Sequence, residues 1–194
     1  MKTDTKQKIL EVGARIIHQK GYSATGIQEV LNEAGVPKGS FYFYFKNKED
    51  FGLQVLDCFF NFFKSNLLQF VLDESKPHIK RIELFLTEFL HFFTNGDFKG
   101  GCPIGNLSLE LADINENFRT HLKHIMDESS LLLAQQIKLA QEKNEINNLS
   151  DAKDLADFIF FSWEGMIMQM KVTQDTTPLE RFNKYIFHQL LQQK

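Results

Sequence analysis

Residues 25–50 read TGIQEVLNEAGVPKGSFYFYFKNKED. Within them Ile27, Val30, Leu31 and Ala34 recur at helical spacing and give one short helix an apolar face. Thr25, with Gln28 three residues on, has the form of a capping box, each side chain satisfying a backbone N–H left over at the helix start. Gly35 suits the left-handed residue that ends this helix. Pro37 suits the first turn of the next one, where the N–H it lacks is not needed. Two helices therefore meet across about three residues, the geometry of a helix-turn-helix. In the second helix Val36, Phe41 and Phe45 can turn inward, which leaves Lys38, Gly39, Ser40, Tyr42 and Phe43 outward near its start. A helix of that kind enters a major groove with its N-terminal residues foremost. Asn47, with Asp50 three residues later, reads as the cap of a new helix from Lys48.

Upstream, Ile9, Val12, Gly13, Ile16 and Ile17 form a stripe on a helix expected from about Thr3 to Lys20 and ended by Gly21. That helix would brace the pair from behind. An N-terminal helix, then T-G-I-x-x-V, then G-V-P-K-G-S-F-Y-x-Y-F-x-N-K-E-D resembles the DNA-binding domain of the tetracycline-repressor (TetR) family of bacterial regulators, over roughly residues 5–53. The resemblance implies that Thr25, Tyr42 and Lys48 meet the phosphate backbone, while Lys38, Gly39 and Ser40 lie on the groove floor. The chemistry agrees: ammonium and hydroxyl groups hold phosphates without reading sequence, and the first turn of a recognition helix reaches base edges. Gly39 has two readings, close approach to DNA or tight helix packing. Many family members carry a His after the Tyr, where this chain has Phe43; Phe donates no hydrogen bond and would press on a thymine methyl instead.

Charge supports this division modestly. The first 50 residues hold 8 Lys and Arg against 6 Asp and Glu, and the rest hold 14 against 19, for a net charge of −3. One mildly basic site binds DNA weakly, so docking of a dimer on two half-sites of a palindrome about one helical turn apart is expected.

The 194 residues suffice for a DNA-binding head over 1–50 and a body over 51–194 that binds effector and dimerises. No apolar run approaches the roughly 20 residues of a membrane span, and the start MKTDTKQK lacks a signal-peptide stretch, so a cytoplasmic protein is expected. Two cysteines, Cys58 and Cys102, make neither a disulfide framework nor a zinc spacing. Cys58, within LDCFFNFF, reads as a buried apolar residue.

Past residue 50 the pattern predicts helices near 48–72, 77–94, 103–113, 115–144, 151–172 and 178–192. Pro77, the NGDFKGG stretch, Ser150 as a cap, and a Thr177–Glu180 capping box with Pro178 at its first position punctuate them. With three helices in the head this is an all-α fold of about nine helices, the number the resemblance implies. Of 20 Phe residues, 17 lie after residue 50. Phe85, Phe89, Phe92 and Phe93 share one helix face, and Phe158, Phe161, Trp163, Met166 and Met170 recur on another helix. Each ring alone reads as core packing; together, rings and soft Met side chains would line an apolar cavity. The resemblance implies an effector pocket there, with Phe85, Phe89, Phe92, Cys102, Phe161 and Met166 as its candidate lining.

Lys99-Gly100-Gly101-Cys102-Pro103 places a cysteine at the cap of the sixth helix. A helix N-terminus and a nearby cation both favour a reactive thiolate. The segment GGCPIGNLSLELAD is similar to that of a TetR subgroup answering to electrophiles or oxidants through a cysteine. Two readings stand: a redox or electrophile sensor at Cys102, or a small residue in the pocket wall. The last two helices carry apolar residues on more than one side. The resemblance implies that they pair with a twin chain, with Ile159, Trp163, Ile167, Phe182, Ile186 and Leu190 as interface candidates and a twofold axis to match a palindrome.

Catalysis is not supported. Glu88-x-x-His91 stands alone where a di-iron bundle needs two such pairs, His121 and His124 lack a clear third ligand, and no Walker loop or nucleophile elbow occurs. No cofactor or metal is expected. The sequence thus points to a DNA-binding transcriptional regulator, a homodimeric repressor released from double-stranded DNA by a small apolar or electrophilic effector. A carrier or interaction module that keeps the head only as scaffold is the alternative of another class.

Overall fold

The structure, a computed structural model, describes residues 5–91 and 98–192. Among these it contains nine α-helices and no strand: α1 (Thr5–Lys20), α2 (Ile27–Ala34), α3 (Phe41–Tyr44, entered through a 3₁₀ turn at Lys38–Ser40), α4 (Lys48–Val71), α5 (His78–Phe89), α6 (Pro103–Leu111), α7 (Glu116–Glu142), α8 (Ala152–Thr173) and α9 (Thr177–Asn183). The all-α expectation holds. α9 continues as a π-helical turn over Lys184–Leu190, where a plain helix to 192 was expected. Phe92, Phe93 and the expected end of the fifth helix lie outside the described residues.

Packing groups the chain into two units: Met1–Phe62 with Pro103–Lys123, and Phe63–Cys102 with His124–Lys194. Helices α4 and α7 each contribute residues to both. In the first unit the aromatic centre is Phe41, Phe45 and Phe51, with ring centroids 5.0 to 5.7 Å apart. Gly13 makes room for it, since a Cβ there would lie 2.2 Å from the Phe51 ring. In the second unit Phe63, Phe85, Phe89, Phe160 and Trp163 form one aromatic cluster.

Three expected caps shift, and each shift has a cause. Thr25 does not cap α2: it is buried, and its hydroxyl donates to the Gly21 carbonyl at 2.7 Å, closing the turn that precedes the helix. Gly26 takes the cap position, Glu29 receives its N–H at a long 3.5 Å, and Gln28 turns along the helix to Asn32. Asp151 rather than Ser150 caps α8, because its carboxylate accepts the N–H groups of both Lys153 and Asp154. Thr176 stands at the cap of α9 without a side-chain bond, with Pro178 still in the first turn. Asn47 caps α4 as expected, accepting the Asp50 N–H at 2.8 Å. Gly35, at φ 63° and ψ 37°, ends α2 left-handed.

Candidate functional site

The turn between the helices of the head presents its polar and aromatic groups to solvent. Lys38 and Gly39 are exposed and Ser40 is half-buried. Tyr42 is largely exposed, and Phe43 is 82% exposed. Leaving a whole phenyl ring in water is unfavourable by about 2 kcal/mol relative to burying it. The inward partners are Phe41 and Phe45, both fully buried. A Cβ on Gly39 would meet nothing within 4 Å; of its two readings, close packing within the chain is therefore set aside.

Lys48 opens α4 half-buried. Its ammonium donates to the Ser23 carbonyl at 3.3 Å and sits 4.6 Å from the centre of the Tyr22 ring. Burial, with the charge of Lys20, holds its pKa below the ordinary value, while Glu110 pulls the other way. The Tyr22 phenol is pushed up to about 12 by burial and by the carboxylates of Glu49 and Glu110. Thr25, expected at a phosphate, has a different task here. Its backbone N–H goes to the Tyr22 carbonyl and its hydroxyl to Gly21, so both of its donors are spent inside the head.

In the body an open cleft of about 330 Å³ lies along α4 and α5. Phe70, Phe85 and Phe89 give it an apolar floor; Asn66, Gln69, Glu88 and His91 give it a polar rim. That size lies at the lower end of small-molecule sites. Met166 is buried, whereas Phe161 is 58% exposed and is not among the residues that line this cleft. Cys102 follows two glycines held at φ 88° and 72°, values that glycine alone adopts readily. Lys171 anchors this loop by donating to the Gly100 carbonyl at 3.3 Å. The Cys102 thiol bonds to Glu164 of α8, whose pKa burial raises to about 7 against the opposing pull of that bond. Cys58, half-buried where full burial was expected, differs: burial, then the charges of Asp57 and Glu11, pushes its thiol up, which favours the protonated form.

Residues 9–55 match the family described as bacterial regulatory proteins, tetR family, and residues 79–186 match the tetracyclin repressor-like C-terminal domain. The chain belongs to the TetR family. It is a DNA-binding transcriptional regulator. It is 33% identical over 190 residues to the HTH-type transcriptional repressor DhaR of Mycobacterium sp. strain GP1, covering 98% of this chain and 94% of that protein. A solved TetR regulatory protein from Rhodobacter sphaeroides is 33% identical with a TM-score of 0.85, covering 93% of this chain and 95% of that one. The reduced form of Escherichia coli NemR is 27% identical with a TM-score of 0.85, covering 94% and 95%.

For a TetR-family regulator, which forms dimers, the free faces of α8 and α9 matter, and here the sequence-based choice needs correction. Ile159, Trp163, Ile167, Phe182 and Ile186 are buried within the single chain, and Leu190 is half-buried. The five buried residues serve the chain's own core. The opposite face of α8 exposes Phe158, Phe161, Gly165, Met168 and Val172, spaced alternately three and four residues apart as in a helix-pairing seam. Tyr185 beside α9 is exposed as well. The spacing was present in the sequence, but both faces of α8 are apolar, and only folding shows which one the chain uses itself. No helix among the described residues is long and apolar enough to cross a membrane.

Proposed function

We propose that this regulator is a cytoplasmic homodimeric repressor that binds a palindromic operator and is released when a small molecule enters the body cleft. The aromatic floor of Phe70, Phe85 and Phe89 beneath a polar rim carries this reading: it suits a ligand with an apolar body and one or two polar groups. In the head, Lys38, Gly39, Ser40 and Phe43 would meet base edges, with Tyr42 and Lys48 on phosphates. α4 is continuous across both units, 24 residues long, and would carry ligand occupancy to the head as a change in half-site spacing. The function is separated at about residue 50, head from body, although residues 103–123 pack with the head.

Selection from a random duplex library with purified protein tests the repressor reading. An enriched palindrome, lost when a cleft ligand is added, supports it; absence of enrichment at low salt favours the carrier alternative. Lys48→Ala is expected to weaken binding to all duplexes about evenly and to lower the slope of log affinity against log salt by about one. Loss at one operator alone would contradict a phosphate role.

The stripe from Phe158 to Val172 would be the seam between protomers, in place of the buried set first expected. Phe161→Glu places two carboxylates across the twofold axis. It should yield monomer, in sedimentation, at concentrations where the wild type is a dimer; an unchanged dimer would move the interface elsewhere.

A second reading makes Cys102 a covalent sensor. The bond from its thiol to Glu164 favours it, since the carboxylate offers a proton acceptor beside the sulfur. An electrophile that releases the wild type from DNA but not Cys102→Ser would support this reading.

A further inference from the structure

Glu110 lies on α6, far along the chain from the DNA-binding helices, yet its carboxylate closes on the turn between α1 and α2. One oxygen accepts the Tyr22 N–H at 3.0 Å, 88 positions away, and the other accepts the Ser23 N–H at 2.6 Å. The turn is shaped around this carboxylate. Gly21 sits at φ 87°, and a Cβ there would come within 2.8 Å of a Glu110 oxygen. The Lys48 ammonium holds the Ser23 carbonyl and covers the Tyr22 ring, near enough to Glu110 for the two charges to interact. Tyr22 also meets Phe118 of α7 edge-on at 4.9 Å. Gly52 of α4 admits both rings, for a Cβ there would lie 2.5 Å from Tyr22 and 2.7 Å from Phe118.

The same corner of the chain grips the head a second time. Asn115 and Asn117 donate to the two oxygens of Glu49, in the first turn of α4, at 2.8 and 2.6 Å. Asn115 meanwhile accepts the Phe118 N–H through its own side-chain oxygen. The segment from α6 into α7 therefore supplies acceptors to the α1–α2 turn and donors to the start of α4. Those two places fix where Lys48 stands and how α2 leads into the recognition turn.

We propose that Glu110 is a positioning residue for operator binding, a part of the DNA-binding apparatus contributed from outside the helix-turn-helix. Its carboxylate accepts from two turn amides that have no backbone acceptor among the described residues, and it sets the α1–α2 geometry from which Lys48 and α3 are presented. It touches no DNA in this scheme.

The test uses full-length protein, an operator duplex obtained by selection, and the variants Glu110→Gln and Glu110→Ala. Gln keeps one acceptor oxygen and Ala keeps none. Operator affinity is expected to fall about tenfold for Gln, the effect of one hydrogen bond to a charged group, and further for Ala. The salt slope should fall by no more than about one, the share of the single Lys48 contact that this turn helps to place. Amide exchange at Tyr22 and Ser23 should quicken in the same order. Affinities are compared per active molecule, by stoichiometric titration with duplex, so that a misfolded fraction does not pass for weak binding. Wild-type affinity in both variants with quickened exchange at Tyr22 and Ser23 would overturn the proposal, and so would a raised affinity, which would leave Glu110 only a charge that repels DNA.

Discussion

Trp163→Ala is expected to lower the unfolding free energy by about 3–5 kcal/mol, the range for removing a large buried aromatic ring. Trp163 is 1% exposed and is met by Phe89 at 5.6 Å, Phe63 at 6.2 Å and Phe160 at 6.3 Å. Four rings from three helices therefore share one centre, and none can collapse into the space without leaving its own neighbours. Trp163→Phe separates two contributions. The indole N–H is buried and finds no hydrogen-bond acceptor among the described residues. An unsatisfied buried donor costs about 1–3 kcal/mol, so replacing indole by phenyl loses volume but removes that cost. The midpoint of urea unfolding should drop sharply for Ala and stay near the wild-type value for Phe. Equal drops would mean that the N–H is partnered in solution.

Glu164→Gln is expected to raise stability at pH 8 by at most about 3 kcal/mol and to leave it nearly unchanged at pH 4. Burial raises the Glu164 pKa from 4.5 to about 7, and each unit is worth about 1.4 kcal/mol. The native chain binds this proton more tightly than the unfolded chain does. Its contribution is fully present below about 4.5 and is lost as pH rises through the folded value near 7. Gln stays neutral throughout, so its carbonyl can accept the Cys102 S–H at any pH without a buried charge. Urea midpoints across this range should fall with pH in the wild type and flatten in the variant. Parallel curves would show that Glu164 is solvated, and would also weaken the case for a thiol poised beside a proton acceptor.

The head was legible because its information is local. Gly35, Asn47 and the inward positions of Phe41 and Phe45 follow from rules that act within a few residues, and the structure places them as expected. Thr25 was misplaced for an equally local reason. Its sequence fits a helix cap, but the left-handed Gly21 brings a carbonyl within its reach, and a buried hydroxyl takes the nearest acceptor. The body was legible in its helices and not in its faces. On α8 both sides are apolar, so the pairing that the resemblance implied was laid on Trp163 and Ile167, which the chain itself buries. Phe161 was assigned to a pocket from the same ambiguity and lies on the open side.

By itself the sequence determined the all-α class, the order of helices, the helix-turn-helix and the membership that its motif signals, because caps, breakers and apolar periodicity depend on neighbours close in the chain. The tertiary structure decided which apolar face is core, where the cleft opens, that Glu164 meets Cys102, and that Glu110 holds the turn at Tyr22 and Ser23. Those are meetings of groups far apart in sequence, and a carboxylate carries no mark in its own surroundings of the amide it will accept from across the fold.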